Sequence, residues 1–248
     1  MVILDAVMAV AKEKLIENLK RVQDNIAAAA QKIGRDPARI TLVAVTKAAE
    51  LEDIQNLIEL GVLDIGENRV QQLTSRAAAI ADWLDKQGIA TENRPRWHMI
   101  GHLQRNKVKN VLPVADLIHS VDTLRLAEEI DHRAQQIDKV ADILLQVNCS
   151  LEPQKFGVAV GAAASLAEQI CTLKNIRLLG LMTMAPLVDD PEKARPAFVR
   201  LRELFEEMRN EKIGGNDFRH LSMGMTQDYQ VAVEEGATIV RIGTALFQ

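Results

Sequence analysis

Thr41-Leu-Val-Ala-Val-Thr-Lys47, continued by Ala48-Ala-Glu50, is the stretch that decides the fold. Residues 42–46 are strand formers too uniformly apolar for a surface strand, which marks a parallel strand covered on both faces. A doubly wound open sheet, the alternative architecture, places a glycine-rich fingerprint after its first strand, and no glycine follows Thr46 here. Outward from this strand, apolar runs at 42–46, 64–66, 97–101, 117–121, 143–148, 178–184, 220–223 and 238–242 alternate with helical patterns. Clear helical patterns lie at 52–60, 123–136, 162–172, 191–210 and 227–235. Strands alternating with helices point to a parallel sheet. Eight such units in about 250 residues is the stoichiometry of a closed (β/α)8 TIM barrel, an α/β fold. Before the first strand, Leu15, Leu19, Val22, Ile26, Ala30 and Ile33 recur at steps of three and four, which predicts an extra N-terminal helix closed by Gly34. No repeat, low-complexity tract or linker interrupts the pattern, so residues 1–248 read as one domain.

Composition narrows the classes of function. A chain of 248 residues, 48% hydrophobic and 26% charged, can bury a full core. A net charge of −4 and a pI near 5.8 leave no cationic excess for a nucleic-acid backbone or an anionic membrane. Cys149 and Cys171 lack the spacing of a zinc site or a disulfide framework, which suggests a reducing compartment. The opening Met1-Val-Ile-Leu-Asp5 has no basic n-region and meets Lys12, Glu13 and Lys14 too soon for an export signal. No apolar run approaches the roughly 18 residues that span a bilayer. The expectation is a cytoplasmic protein off the membrane and, for want of a second domain, a monomer.

In a barrel of this kind function gathers at the carboxyl ends of the strands. After the first strand stands Lys47. A lysine at the mouth of a buried strand loses hydration, which lowers its pKa from about 10.4 and populates a neutral amine able to form a Schiff base. A lysine that merely snorkels to water is the plainer reading. The seventh strand ends Ser222-Met-Gly224-Met-Thr226 and the eighth Arg241-Ile-Gly243-Thr244. Loops after the last two strands often bind phosphate. Gly224 and Gly243 let the backbone approach an anion, and Ser222, Thr226 and Thr244 carry donor hydroxyls. Either loop alone would pass for an ordinary turn with a hydroxyl N-cap; two on neighbouring strands favour an anion. Closure sets the eighth strand about 4.8 Å from the first. In pyridoxal 5′-phosphate the aldehyde and the phosphate arm occupy adjacent ring carbons, so an imine-forming lysine and a phosphate site belong on neighbouring strands, as Lys47 and Gly243 with Thr244 would be. Arg241 shares a face with Gly243. A guanidinium only donates, so it would hold the pyridine nitrogen unprotonated and weaken the ring as an electron sink; the alternative is a structural arginine paired with an inward carboxylate.

Val43-Ala-Val-Thr-Lys47, Ile65-Gly-Glu-Asn-Arg69, Trp97-His-Met-Ile-Gly-His-Leu-Gln104, His119-Ser-Val-Asp122, Leu221-Ser-Met-Gly-Met-Thr226 and Val240-Arg-Ile-Gly243 together resemble the YggS/PROSC family of pyridoxal phosphate homeostasis proteins. The resemblance covers nearly the whole chain. It implies the fold type III barrel shared with the N-terminal domain of alanine racemase, with an internal aldimine on Lys47. By position it makes Arg241 the pyridine-nitrogen partner and Ser222, Gly243 and Thr244 the phosphate ligands, with Met223 and Gly224 in the same cofactor-binding loop. It sets Asn68 and His98 around the ring. The implied role is intracellular vitamin B6 homeostasis with little or no catalysis, and PLP-dependent apoenzymes are the implied acceptors. Ala48-Ala49-Glu50, Cys149-Ser-Leu-Glu-Pro153 and the terminal Gln248 depart from the family pattern at the pocket rim.

Two enzymatic alternatives remain. An amino-acid racemase needs a second acid/base on the opposite face of the ring, and the one tyrosine, Tyr229, follows the seventh strand. A Schiff-base aldolase would use Lys47 without a cofactor. His98 and His102 are separated by Gly101 within a strand end, which argues against a metal pair on one helical face. Asp189-Asp190-Pro191 reads as a helix start, and Arg105, Lys107 and Lys109 as a solvated basic face. Met182, Met184, Met223 and Met225 either pack a flat ring or fill core gaps.

Overall fold

Ala44 lies opposite both Ile65 and Ile242, so β1 (Thr41–Val45) is flanked by β2 (Asp64–Glu67) on one side and β9 (Ile239–Ile242) on the other. The first and last strands of the chain are neighbours. The structure is a computed structural model that describes residues 9–89 and 94–248. From β2 the ring continues through β3 (Arg96–Met99), β4 (Leu117–Val121), β5 (Ala141–Asn148), β7 (Ile176–Met182) and β8 (His220–Ser222) to β9, every pairing parallel. The β4–β5 pairing closes it. An open sheet would leave two edges; this one leaves none, and the fold is a TIM barrel.

The strand count differs from the sequence expectation by one. β6 (Val158–Ala159) is a two-residue strand paired to the end of β5 outside the ring, too short to carry a period. The third strand starts one residue earlier than expected and ends at Met99, because the chain turns at Ile100 to lay Gly101 on Asn68. A Cβ on Gly101 would lie 2.1 Å from the Asn68 carbonyl oxygen. The sixth expected strand likewise ends at Met182.

The helices are α1 (Lys12–Lys32), α2 (Leu51–Glu59), α3 (Val70–Gln87), α4 (Val108–Val111), α5 (Leu124–Gln136), α6 (Val160–Cys171), α7 (Arg195–Asn210), α8 (Tyr229–Glu234) and α9 (Thr244–Phe247). α1 is the extra helix. It buries Leu15, Leu19, Val22, Ile26 and Ala30 against α8 and α9, each large side chain contributing about 1.5–3 kcal/mol. Ile33 falls one residue past its end and is exposed. Buried Asn18 donates to the Leu246 and Gln248 carbonyls at 3.0 and 2.9 Å, answering the open carbonyl end of α9. Asp190 accepts from the Glu192 amide at 3.1 Å and so starts the turn leading into α7, as the Asp-Pro pattern predicts.

Strand alternation divides the apolar residues between two cores. Outward-facing Ala44, Ile65, Ile118 and Ile242 join the shell packed under the helices. Inward-facing Val43, Leu117, Leu144, Leu179, Met182 and Ile239 plug the barrel. Above and beside that plug the inward positions turn polar, at His98, His119, Ser222 and Arg241, all buried.

Candidate functional site

A cavity of about 460 Å³ opens where the strands end, within the range of small-molecule sites. It brings together five of the residues expected to bind the cofactor: Lys47, Asn68, Arg241, Gly243 and Thr244. They come from the ends of β1, β2 and β9, three adjacent strands. Gly243 lets the chain pass close to β1: a Cβ there would lie 3.2 Å from the Val45 carbonyl oxygen, a tight contact.

Lys47 stands at the mouth and is exposed, which corrects the expectation of a desolvated amine. β1 ends at Val45, Thr46 is buried on the helix side against Glu67 and Arg76, and Lys47 is already past the strand. What fixes it is the backbone beneath. Thr46 Oγ1 donates to the buried Glu67 carboxylate at 2.5 Å, and the Arg76 guanidinium of α3 binds Glu67 together with the Thr46 and Ala49 carbonyls. Gln72 adds a bond to the Lys47 carbonyl at 3.3 Å.

Arg241 forms the floor. Its Nη1 donates to Ser222 Oγ at 2.6 Å and its Nη2 to the Thr183 carbonyl at 2.9 Å. Full burial lowers its pKa to about 10, partly countered by Asp228, so it remains a cation at neutral pH. Behind it runs a buried chain: Ser222 Oγ meets His119 Nδ1 at 2.9 Å, His119 Nε2 meets His98 Nδ1 at 2.9 Å, and His98 Nε2 meets Asp64 Oδ1 at 2.9 Å. Burial, with the neighbouring His98 and Arg241, holds the His119 pKa well below that of a free imidazole. Neutral His119 and a serine that accepts from Arg241 assign the protons in one direction: Ser222 donates to His119, His119 to His98, and His98 to Asp64. Burial alone would raise the Asp64 pKa, but hydrogen bonds from His98 and Arg96 outweigh it and keep the carboxylate ionised.

His98, Ser222, Met223 and Gly224 therefore lie behind the cavity wall. His98 and Ser222 are links of the buried chain, with both partners of each accounted for inside the barrel. Met223 faces outward into the helix-packed shell. Gly224 turns the loop at φ +91°, where a Cβ would strike Ala232 at 2.6 Å. The four methionines divide the same way: Met184 and Met225 line the cavity, and Met182 and Met223 are core.

Three contributors went unread in the sequence. Asp228 reaches the cavity while accepting from the Met225 amide at 2.6 Å, and burial raises its pKa. Gly101 seats the loop after β3 on Asn68. Pro186 and Leu187, beside Met184, overhang the mouth from the loop after β7. Only Asp228 left a signal, as an Asx-type turn residue three beyond Met225. His102 leaves the site and stacks on Phe156, ring centroids 4.1 Å apart, while Tyr229 turns its hydroxyl to Asn25 of α1 at 2.9 Å.

Residues 18–248 match the family model of the alanine racemase N-terminal domain. The chain is 42% identical to a pyridoxal phosphate homeostasis protein of Aquifex aeolicus over 231 residues, 93% of this chain and 96% of that one. A protein from Bifidobacterium adolescentis described as unknown superposes with a TM-score of 0.89 at 39% identity, covering 99% of this chain and 98% of that one. PipY of Synechococcus elongatus, solved with PLP bound, superposes with a TM-score of 0.80 at 29% identity over 94% of this chain and all of that one. On its barrel, its site and this near end-to-end match, the chain belongs to the family of pyridoxal phosphate homeostasis proteins built on the alanine racemase N-terminal domain.

Proposed function

We propose that this chain holds pyridoxal 5′-phosphate in the cavity above Arg241, covalently through the Lys47 amine, and serves cytoplasmic PLP homeostasis as a monomeric carrier with little or no catalysis. The observation that carries the reading is that Lys47, Arg241 and the Gly243–Thr244 turn come from two adjacent strands and face one cavity. The residues fit the cofactor. Arg241 has one hydrogen bond from each terminal nitrogen, which fixes the guanidinium and leaves further N–H groups free to donate. Asn68 Oδ1 is buried at the cavity wall without a hydrogen-bond partner, an acceptor awaiting a donor. Thr244 and the glycine before it offer a hydroxyl and an approachable backbone to a phosphate. Bound there, the cofactor supplies an aldehyde for the amine and a ring able to withdraw electrons.

The surrounding side chains favour holding over turnover. Arg241 is cationic, anchored and donor-only, so it keeps the ring nitrogen an acceptor. Tyr229, the residue a racemase reading would enlist, is spent on Asn25 and faces α1. The relative named for homeostasis and the PLP-bound PipY structure support the same role, with PLP-dependent apoenzymes as acceptors.

The test is the absorbance spectrum of the purified chain, followed by borohydride reduction and peptide mapping. A visible band that borohydride bleaches, with the label on Lys47, is the expected result. A colourless protein would favour the cofactor-free aldolase, and a label retained on another lysine in Lys47→Ala as the main species would sink the assigned site. Exchange of the alanine α-proton for solvent deuterium with inversion would establish a racemase instead.

A further inference from the structure

A second cavity, of about 870 Å³, lies at the opposite end of the barrel, among residues at the amino ends of β1, β8 and β9 and along α7. Six cations line it: Arg35, Arg39, Arg202, Arg209, Lys212 and Arg219. Among the described residues Glu206 is the one carboxylate lining it. In a chain whose net charge is −4, this is a concentration of the minority sign. Ion pairing does not account for it. Arg202 is answered by Glu235 and Arg219 by Asp217 at 3.6 Å, while Arg35 donates to the Gly236 and Ala237 carbonyls. Among the described residues Arg39, Arg209 and Lys212 have no carboxylate within 4 Å. Burial lowers the Arg35 pKa, and the like charge of Arg39 lowers it further. The carbonyl end of α7 attracts Arg209 and Lys212 but amounts to about half a negative charge, too little for three unanswered cations. Arg209 is held in place over the Phe205 ring, 5.7 Å from its centroid.

We propose that this lower cavity is a binding site for a small polyanion with two linked phosphate groups, gripped by Arg39, Arg209 and Lys212 with Arg35 and Arg219 flanking. Guanidinium forks match paired phosphate oxygens, and a compact ligand with several negative charges is what so many cations converging on one space can hold. The upper and lower sites are separate: one is built by residues that follow strands, the other by residues at strand starts. The proposal therefore stands whether or not Lys47 carries a cofactor.

The test is calorimetric titration of the full cofactor-loaded chain with inorganic pyrophosphate and, separately, inorganic phosphate at low ionic strength. Pyrophosphate is expected to bind at one site, more tightly than phosphate, and to weaken as salt is raised. In Arg39→Ala/Lys212→Ala, which removes exposed and unpaired side chains, affinity should fall at least about tenfold with the melting temperature unchanged. Lack of pyrophosphate binding to the parent chain, or equal binding by the double variant, would overturn the site. Arg209→Glu offers an independent reversal of charge, and unaltered affinity in that variant would count against it equally.

Discussion

Arg241 Nη1 sits 2.6 Å from Ser222 Oγ, and the same oxygen is 2.9 Å from His119 Nδ1. The hydroxyl that loop composition offers to a phosphate is instead the joint between the floor of the cavity and a chain of two histidines ending on Asp64. Ser222 holds Arg241 in place at the floor of the cavity.

Ser222→Ala removes one acceptor from a buried guanidinium and one donor to a buried imidazole. A stability loss of about 1–3 kcal/mol is expected, or roughly 2–4 °C in Tm per kcal/mol for a chain of this size. Thermal melting of the cofactor-free chain checks it. A phosphate-ligand role would give the reverse pattern, with weaker cofactor retention and an unchanged melt.

Arg76→Ala strips the partner from Glu67, a fully buried carboxylate. Leaving that charge unanswered costs about 3–5 kcal/mol. The Thr46 and Ala49 carbonyls lose their clamp as well, so the loop carrying Lys47 should exchange amide protons faster. Hydrogen exchange across residues 46–50 measures this, and protection equal to the parent would refute the clamp.

Stability should fall with acid, in a window set by two histidines. Burial, then the neighbouring His98 and Arg241, depresses His119, and burial, then Arg219 and His98, lowers His220 to about 4. Both are neutral when folded and take up a proton on unfolding below about pH 6.5. Their contribution is therefore complete above that pH and drains away toward pH 4, at no more than about 1.4 kcal/mol per pH unit for each. Asp122 and Asp228, raised by burial, act with the opposite sign and favour the fold below their unfolded pKa. Denaturant midpoints at pH 8, 7, 6 and 5 should show a plateau between 8 and 7 and then a decline, and His220→Asn should flatten it.

Gly101→Ala forces a Cβ into the Asn68 backbone, 2.1 Å from its carbonyl oxygen. Since that contact is backbone on both sides, Asn68 must move. We expect cofactor retention to fall while the far end of the barrel keeps its protection; equal retention in the variant would show that Asn68 takes no part.

Much of the fold was legible because its signals are local. Apolar runs such as 42–46 report a strand buried on both faces, steps of three and four from Leu15 report α1, and the missing glycine after Thr46 excludes the open sheet. Lys47, Arg241, Gly243 and Thr244 could be named from the ends of strands alone, since a barrel gathers those ends and alternation puts 241 and 243 on one side. Tertiary structure decided the rest. Lys47 is exposed because β1 stops two residues short of it, a boundary that burial in the assembled sheet sets. Ser222 and His98 face inward as expected, but one layer deeper than the cavity, where they meet partners 103 and 34 residues away. The lower cavity draws its cations from three stretches, residues 35–39, residues 202–212 and Arg219, none of them a basic run. Strand period and composition are properties of neighbours in sequence; depth in a barrel and the sum of charge at one end depend on ring closure, which sequence order does not encode locally.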